Sequence, residues 1–337
     1  MQYVKGDILT HDGFKKGYLG FEKNRLIDLR SGSPPEKPLA KGLIVPTFVN
    51  SHTHVGDSFI KKKKIKLPRN VEDLVAPPNG LKHRLLEKAS EEEIIDGMKT
   101  SIDEMMGTGT SYFCDFREDG INGVYLLSNA LKNRKIGSII LSRPQQMSYD
   151  KNEVELLLKN SFGIGLSSIS DWEYSEIEKI ARHAKQGKKI FALHASEVVR
   201  EDIDLILDLK PDFLVHMVLA TESDLTRVKD ENISVVICPR SNAFFNLKMN
   251  LKLMKKTKVD LMLGTDNAML NIPNVLKELR YLRNSTTVFS TQELLNMITY
   301  TPRKALNLDD CIHGPNSSGN FVVLDRKSLK SVYISNK

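Results

Sequence analysis

Eight short apolar runs punctuate the middle of this 337-residue chain, and helical patterns separate most of them. The runs are Leu43–Val49, Ser111–Phe116, Ile136–Leu141, Phe162–Ser167, Lys189–Leu193, Phe213–Val215, Ser234–Cys238 and Asp260–Leu263. Helical periodicity fills Glu91–Met106, Ile121–Asn133, Glu173–Lys185, Ile203–Leu209, Ser223–Lys229 and Val275–Arg283. Strands alternating with helices argue for βαβ units on a parallel sheet. Eight such units argue for an α/β fold of the (β/α)8 TIM-barrel kind. The ends read differently. Tyr3–Leu9, Gly17–Glu22 and Arg25–Leu29 look like strands divided at Asp12-Gly13 and Lys23-Asn24. Ser31–Pro38 reads as a linker. After Gly314-Pro315, Gly319–Asp325 and Ser331–Ser335 again look like strands.

Composition removes several classes. Hydrophobic residues are 40% and charged residues 27%, which excludes a disordered or collagen-like chain. The net charge of +7 invites a nucleic-acid reading, but the densest basic cluster, Lys61–Lys64 with Lys66, has no interleaved aromatic residue for base stacking. Nucleic acid is therefore not expected as a partner. Cys114, Cys238 and Cys311 are far apart and odd in number, which excludes a disulfide framework and a CxxC knuckle. A reducing cytoplasm is the expected setting. The first residues have no basic flank before an apolar run, and no stretch approaches the length of a membrane span, so neither a signal peptide nor a membrane is expected.

The polar residues just past the apolar runs carry the functional signal, because barrel enzymes place their chemistry at the C-terminal ends of strands. The first run ends in Asn50-Ser51-His52-Thr53-His54, the fifth in His194-Ala195-Ser196-Glu197, the sixth at His216 and the eighth in Gly264-Thr265-Asp266-Asn267. His52 and His54 are two apart, so in a strand both imidazoles share one face. Such a pair, joined by His194, His216 and Asp266, suits zinc or iron. Glu197 reads two ways. It is either a helix-start glutamate favoured by the helix dipole, or a carboxylate swung over the metal by the turn. His11, His183 and His313 read as surface histidines.

These residues resemble a family. Val45-Pro46-Thr47-Phe48-Val49-Asn50-Ser51-His52-Thr53-His54 is similar to the first strand of the amidohydrolase superfamily, with Thr47 where glycine is usual. Leu193-His194-Ala195-Ser196-Glu197 resembles the H-x-x-E of its aminohydrolase branch, which includes cytosine, guanine and adenosine-type deaminases and triazine hydrolases. Phe213-Leu214-Val215-His216, Cys238-Pro239-Arg240-Ser241-Asn242 and Gly264-Thr265-Asp266-Asn267 resemble the motifs of strands six, seven and eight.

The resemblance implies a small β-sandwich domain formed from both chain termini, residues 1–42 and 307–337, around a barrel of residues 43–306. It implies one divalent metal ion, zinc or iron, held by His52, His54, His194 and Asp266. The fourth strand offers no lysine or glutamate to bridge a second ion. The implied reaction is deamination of a purine, pyrimidine or nucleoside derivative by metal-activated hydroxide, with loss of ammonia. Asp266 would take the water's proton, Glu197 would protonate a ring nitrogen, and His216 would bond the water or the developing oxygen. Alternatives are a cyclic-amide or ring-halide (triazine-like) hydrolase and a non-catalytic binding protein on the same scaffold. Candidate contacts for the heterocyclic substrate are His83, Arg84, Arg143, Gln145, Trp172 and Asn242. Lys61–Lys66 and Arg84 are expected near the pocket mouth, where they would favour an anionic substrate group. Many members of the branch associate, so a homo-oligomer stays open.

Overall fold

Thr47 divides the molecule's two sheets. The computed structural model describes residues 1–23, 25–308, 312 and 319–335. Asn24, Cys311, His313 and Gly314-Pro315 lie outside them. Sequence patterning makes Leu43–Val49 one strand, but the structure splits it. Strand β4 (Ala40–Pro46) belongs to a terminal sheet, and β5 (Phe48–His54) opens the central one. Between them Thr47 donates its amide to Asn320 of the C-terminal segment, while Phe48 donates to Gly109. An unbroken apolar run carries no signal for such a change of partner.

The terminal sheet has six strands in the order β15-β14-β4-β1-β2-β3. They are β1 (Gln2–Thr10), β2 (Gly13–Glu22), β3 (Arg25–Arg30), β4, β14 (Phe321–Leu324) and β15 (Ser331–Ile334). Asp12-Gly13 turns the chain so that Thr10 pairs with Gly13, and β1 then lies parallel to β4. Antiparallel pairing of β14 with β4, Phe321 opposite Pro46, joins the two ends of the chain. The described strands form one sheet.

The central sheet is parallel throughout and curls in the TIM-barrel manner. After β5 come β6 (Thr110–Arg117), β7 (Gly137–Ser142), β8 (Gly163–Leu166), β9 (Ile190–Ala195), β10 (Phe213–His216), β11 (Ser234–Ile237), β12 (Leu261–Leu263) and β13 (Asp266–Asn267). The last two are halves of one run. Its first half pairs with β11 and its second with β5, the opposite ends of the row. Gly264 makes the junction feasible, since a Cβ there would lie 2.7 Å from that of His52. Asn50 locks the seam: its amide donates to the Thr265 hydroxyl at 2.8 Å and accepts from the Thr265 N–H at 3.1 Å.

Helices cover the outside. Helix 91–107 starts where the Ser90 hydroxyl accepts from the Glu93 N–H, a cap contributing about 1 kcal/mol. Thr221 and Asp224 form a reciprocal capping box on helix 222–230. The barrel interior is filled by Val49, Phe116, Leu141, Phe213, Val236 and Met262, among others. This packed centre leaves only the strand ends open for chemistry.

Candidate metal centre and its pocket

Pleating places His52 and His54 on one face of β5, with Thr53 turned away to donate to the Asp115 carboxylate at 2.9 Å. His194 ends β9, His216 ends β10, and Asp266 begins β13. Two overlapping sets of donor atoms, His52–His194–His216 and His52–His54–Asp266, each lie within 4.8 Å. His194 Nε2 and His52 Nε2 are 3.2 Å apart. Asp266 Oδ1 is 3.4 Å from His52 Nε2 and 3.6 Å from His54 Nε2.

Hydrogen bonds orient two of the rings. His194 Nδ1–H donates to the Leu166 carbonyl at 2.8 Å, and His54 Nδ1–H donates to Glu118 Oε1 at 2.9 Å. Each Nε2 lone pair therefore faces the cluster. Burial pushes the His54 imidazole down to about 3 and that of His216 to about 4, and it holds His194 well below the usual range. The rings stay neutral, as ligands must. Burial works against the Asp266 charge, but the His52 hydrogen bond and the surrounding imidazoles hold its carboxyl well below the usual range. Ser241 donates to Asp266 Oδ2 at 2.5 Å, and the Asn267 amide donates to Oδ1 at 2.9 Å.

The backbone here is unusual. Ser196, His216, Met217 and Asp266 have φ of 49°, 77°, 51° and 59°, in the left-handed region that favours glycine. Strain of this kind concentrates where a side chain must be aimed. Glu197 directly follows Ser196. The carboxylate turns into the cavity, 3.5 Å from His216 Nε2 and 3.5 Å from the Asn242 amide. Burial, with Asp266 and Asp171 nearby, pushes its carboxyl well above the usual range.

The cavity over the cluster measures about 440 Å³. His54, His194, His216, Glu197 and Asp266 face it, with Val71, Val75 and Pro77 from the β5–β6 segment on one side and Val198, Val199 and Phe245 on the other. Arg143 also faces it, and lines a neighbouring cavity of about 460 Å³ together with His83 and Gln145. Pro77 and Glu118 are shared between the two spaces. Asn242 stands behind the wall, its amide between Glu197 and His216.

Three sequence expectations are corrected. Trp172 is buried in the outer core and donates its indole N–H to Ser167 at 2.9 Å, backing the wall without forming it. Arg84 is exposed, turned to the Asn79 carbonyl, and lines neither cavity. Lys61–Lys64 are exposed at the end of a 3-10 helix, where Lys63 pairs with Glu93 at 2.8 Å, and Lys66 lies on the outer surface. None of these lysines faces the metal cavity. The cations that do are Lys82 and Arg143. Sequence reasoning missed Lys82, Arg117 and Glu118, because charged residues at strand ends and in loops ordinarily read as solvated. The compact Asp115-Phe116-Arg117-Glu118 string closing a barrel strand was the available signal.

The model of the amidohydrolase family matches residues 43–331. This chain belongs to that family. As an amidohydrolase it is a metal-binding hydrolase acting on carbon–nitrogen bonds. It is 35% identical to an uncharacterized protein of Methanocaldococcus jannaschii, over 91% of this chain and 82% of that one. It is 25% identical to the 5-methylthioadenosine/S-adenosylhomocysteine deaminase of Thermoanaerobacter pseudethanolicus, over 91% and 75%. The fold matches a zinc-bound adenosine deaminase from Xanthomonas campestris with a TM-score of 0.75 and 16% identity, covering 100% of this chain and 92% of the other. No helix among the described residues is long and apolar enough to cross a membrane.

Proposed function

We propose that this amidohydrolase deaminates a nitrogen heterocycle, a purine, pyrimidine or nucleoside derivative, with one divalent metal ion and release of ammonia. The observation that carries the reading is the placement of Glu197 and His216 beside the His52–His54–His194–Asp266 cluster, with all of these but the fully buried His52 facing one cavity. The donor set fits a metal. Zinc–nitrogen bonds of about 2.0–2.1 Å would put neighbouring ligand atoms roughly 3–3.6 Å apart, in the range of the 3.2, 3.4 and 3.6 Å found here. Zinc and iron both accept these donors. The β8 end offers Ser167 and Ser168 but no bridging lysine or glutamate, which favours a single ion.

When bound, the ion lowers the pKa of a coordinated water toward about 7. The protein's own groups do the rest. Asp266 receives the proton of the attacking water at its carboxylate. Glu197, kept protonated by burial, donates to a ring nitrogen. It then takes up the remaining proton of the attacking hydroxyl as the carbonyl forms and passes it to the leaving amine, and the proton held by Asp266 restores Glu197 by way of solvent. His216 bonds the developing oxygen, with Asn242 steadying both it and Glu197. A cavity of about 440 Å³ accommodates a nucleoside-sized molecule. Arg143 replaces the lysine run as the cation offered to an acceptor or anion on the substrate. Glu197 favours deamination over halide release, which has no need of such a donor. The six-stranded sheet forms a separate small unit, with its first boundary at Thr47 rather than after residue 42.

The test is metal content per chain, with ammonia release from aminopurines, aminopyrimidines and adenosine derivatives. One zinc or iron per chain and turnover of at least one compound are expected. No uptake after reconstitution overturns the metalloenzyme reading, and two tightly held ions overturn its single-ion form.

A further inference from the structure

Lys82 is a buried lysine, 2% exposed, and it comes from helix 81–88 in the segment between β5 and β6. Lysine is almost never buried this completely unless it is paired. Its ammonium forms an ion pair with Glu118 Oε1, donates to Asn267 Oδ1 at 3.1 Å and lies 3.9 Å from Asp57 Oδ2. Glu118 Oε1 is the atom that accepts from His54 Nδ1–H. Asn267 passes its amide N–H to Asp266 Oδ1 at 2.9 Å. An ammonium donates and never accepts, so it fixes which end of the Asn267 amide faces Asp266.

We infer that Lys82 is a positioning residue for the metal centre, its single ammonium holding His54 through Glu118 and Asp266 through Asn267. The inference rests on the proposed assignment of His54 and Asp266 as ligands. The two ligands sit on neighbouring strands, and Lys82 ties both from outside the sheet. Without it, Glu118 keeps only Arg117, on its other oxygen, and the Oε1 that accepts from His54 loses the cation that holds it in place. The Asn267 amide becomes free to rotate. Groups behind ligands typically change metal affinity by 10–100-fold. Lys82 also faces the cavity, so the competing role is substrate contact. Two of its three protons already meet Glu118 and Asn267, while Asp57 Oδ2 lies beyond hydrogen-bond reach at 3.9 Å, so variants must separate positioning from substrate contact.

The test uses the full chain, stripped of metal and titrated with zinc against a chromophoric chelator. The visible spectrum of the cobalt form and the urea midpoint of the metal-free protein are recorded alongside. Lys82→Met is expected to bind zinc about 10–100-fold more weakly and to shift the cobalt bands. Asn267→Ala breaks one arm alone and is expected to lose less. The double variant is expected to lose no more than Lys82→Met, because both changes act through one connection. Unchanged zinc affinity in Lys82→Met with a raised KM overturns the inference in favour of substrate contact. If Lys82→Met does not fold, unchanged zinc affinity in both Asn267→Ala and Glu118→Gln overturns it in favour of a structural ion pair. A wild type that takes up no zinc overturns the ligand assignment itself, a failure visible in its own titration curve.

Discussion

Two buried glutamates stand on opposite sides of the pocket and are held in opposite states. Glu197, on the β9–β10 side, has no cation against it, and burial pushes its carboxyl well above the usual range. Glu118, at the end of β6, is still more deeply buried, but Lys82, His54 and Arg117 outweigh that burial and hold its carboxyl well below. One carboxyl is thereby kept protonated and the other kept charged. The difference lies in their neighbours, which belong to other elements. In the proposed reading, one side does the chemistry and the other holds its geometry.

The largest expected effect tests the reactive side. Glu197→Gln should lower turnover by about 10²–10⁴-fold while zinc content and unfolding midpoint stay near wild type. Full turnover would remove the proton-donor role and the contrast with it. Arg117→Met tests the holding side. Arg117 is buried between Asp115 and Glu118, and stripping one partner from a buried ion cluster costs about 3–5 kcal/mol. Urea unfolding should record the loss, and an unchanged midpoint would mean that these ions support little of the fold.

The smallest effect sharpens the contrast through pH. Burial pushes Glu278 up to about 8, with Arg240 opposing. Unfolded, this carboxyl releases its proton near 4.3. Between about 4.3 and 8 the folded state therefore binds more protons, so stability is lost as pH rises. Glu278→Gln should flatten part of that decline between pH 5 and 8. Asp57, also pushed up to about 8, supplies another part. An unaltered slope in urea midpoints would show that Glu278 is charged throughout.

The barrel was legible because apolar runs and helical periodicity recur at the spacing of βα units. His52, His54, His194, His216 and Asp266 were legible because each stands just past such a run. The break at Thr47 was not, since pairing partners leave no trace in an unbroken apolar stretch. Lys82 was not, because its burial is decided by Glu118 and Asn267, which come from two other elements. Trp172 misled for a related reason: its place after a strand suggested a stacking surface, yet Ser167 and the outer core claim it.

The divided eighth strand also sets an order of assembly. Residues 266–267 pair with β5, near the start of the barrel, and residues 261–263 pair with β11. On the ribosome, β5 through β11 emerge and stack before anything can close the row. Asp266 arrives in the segment that closes it. The seam and the last donor of the site are thus delivered by one stretch of chain. A nascent barrel cut short before that stretch would carry all four of the site's histidines yet lack both closure and carboxylate, and so could not complete the proposed site during synthesis.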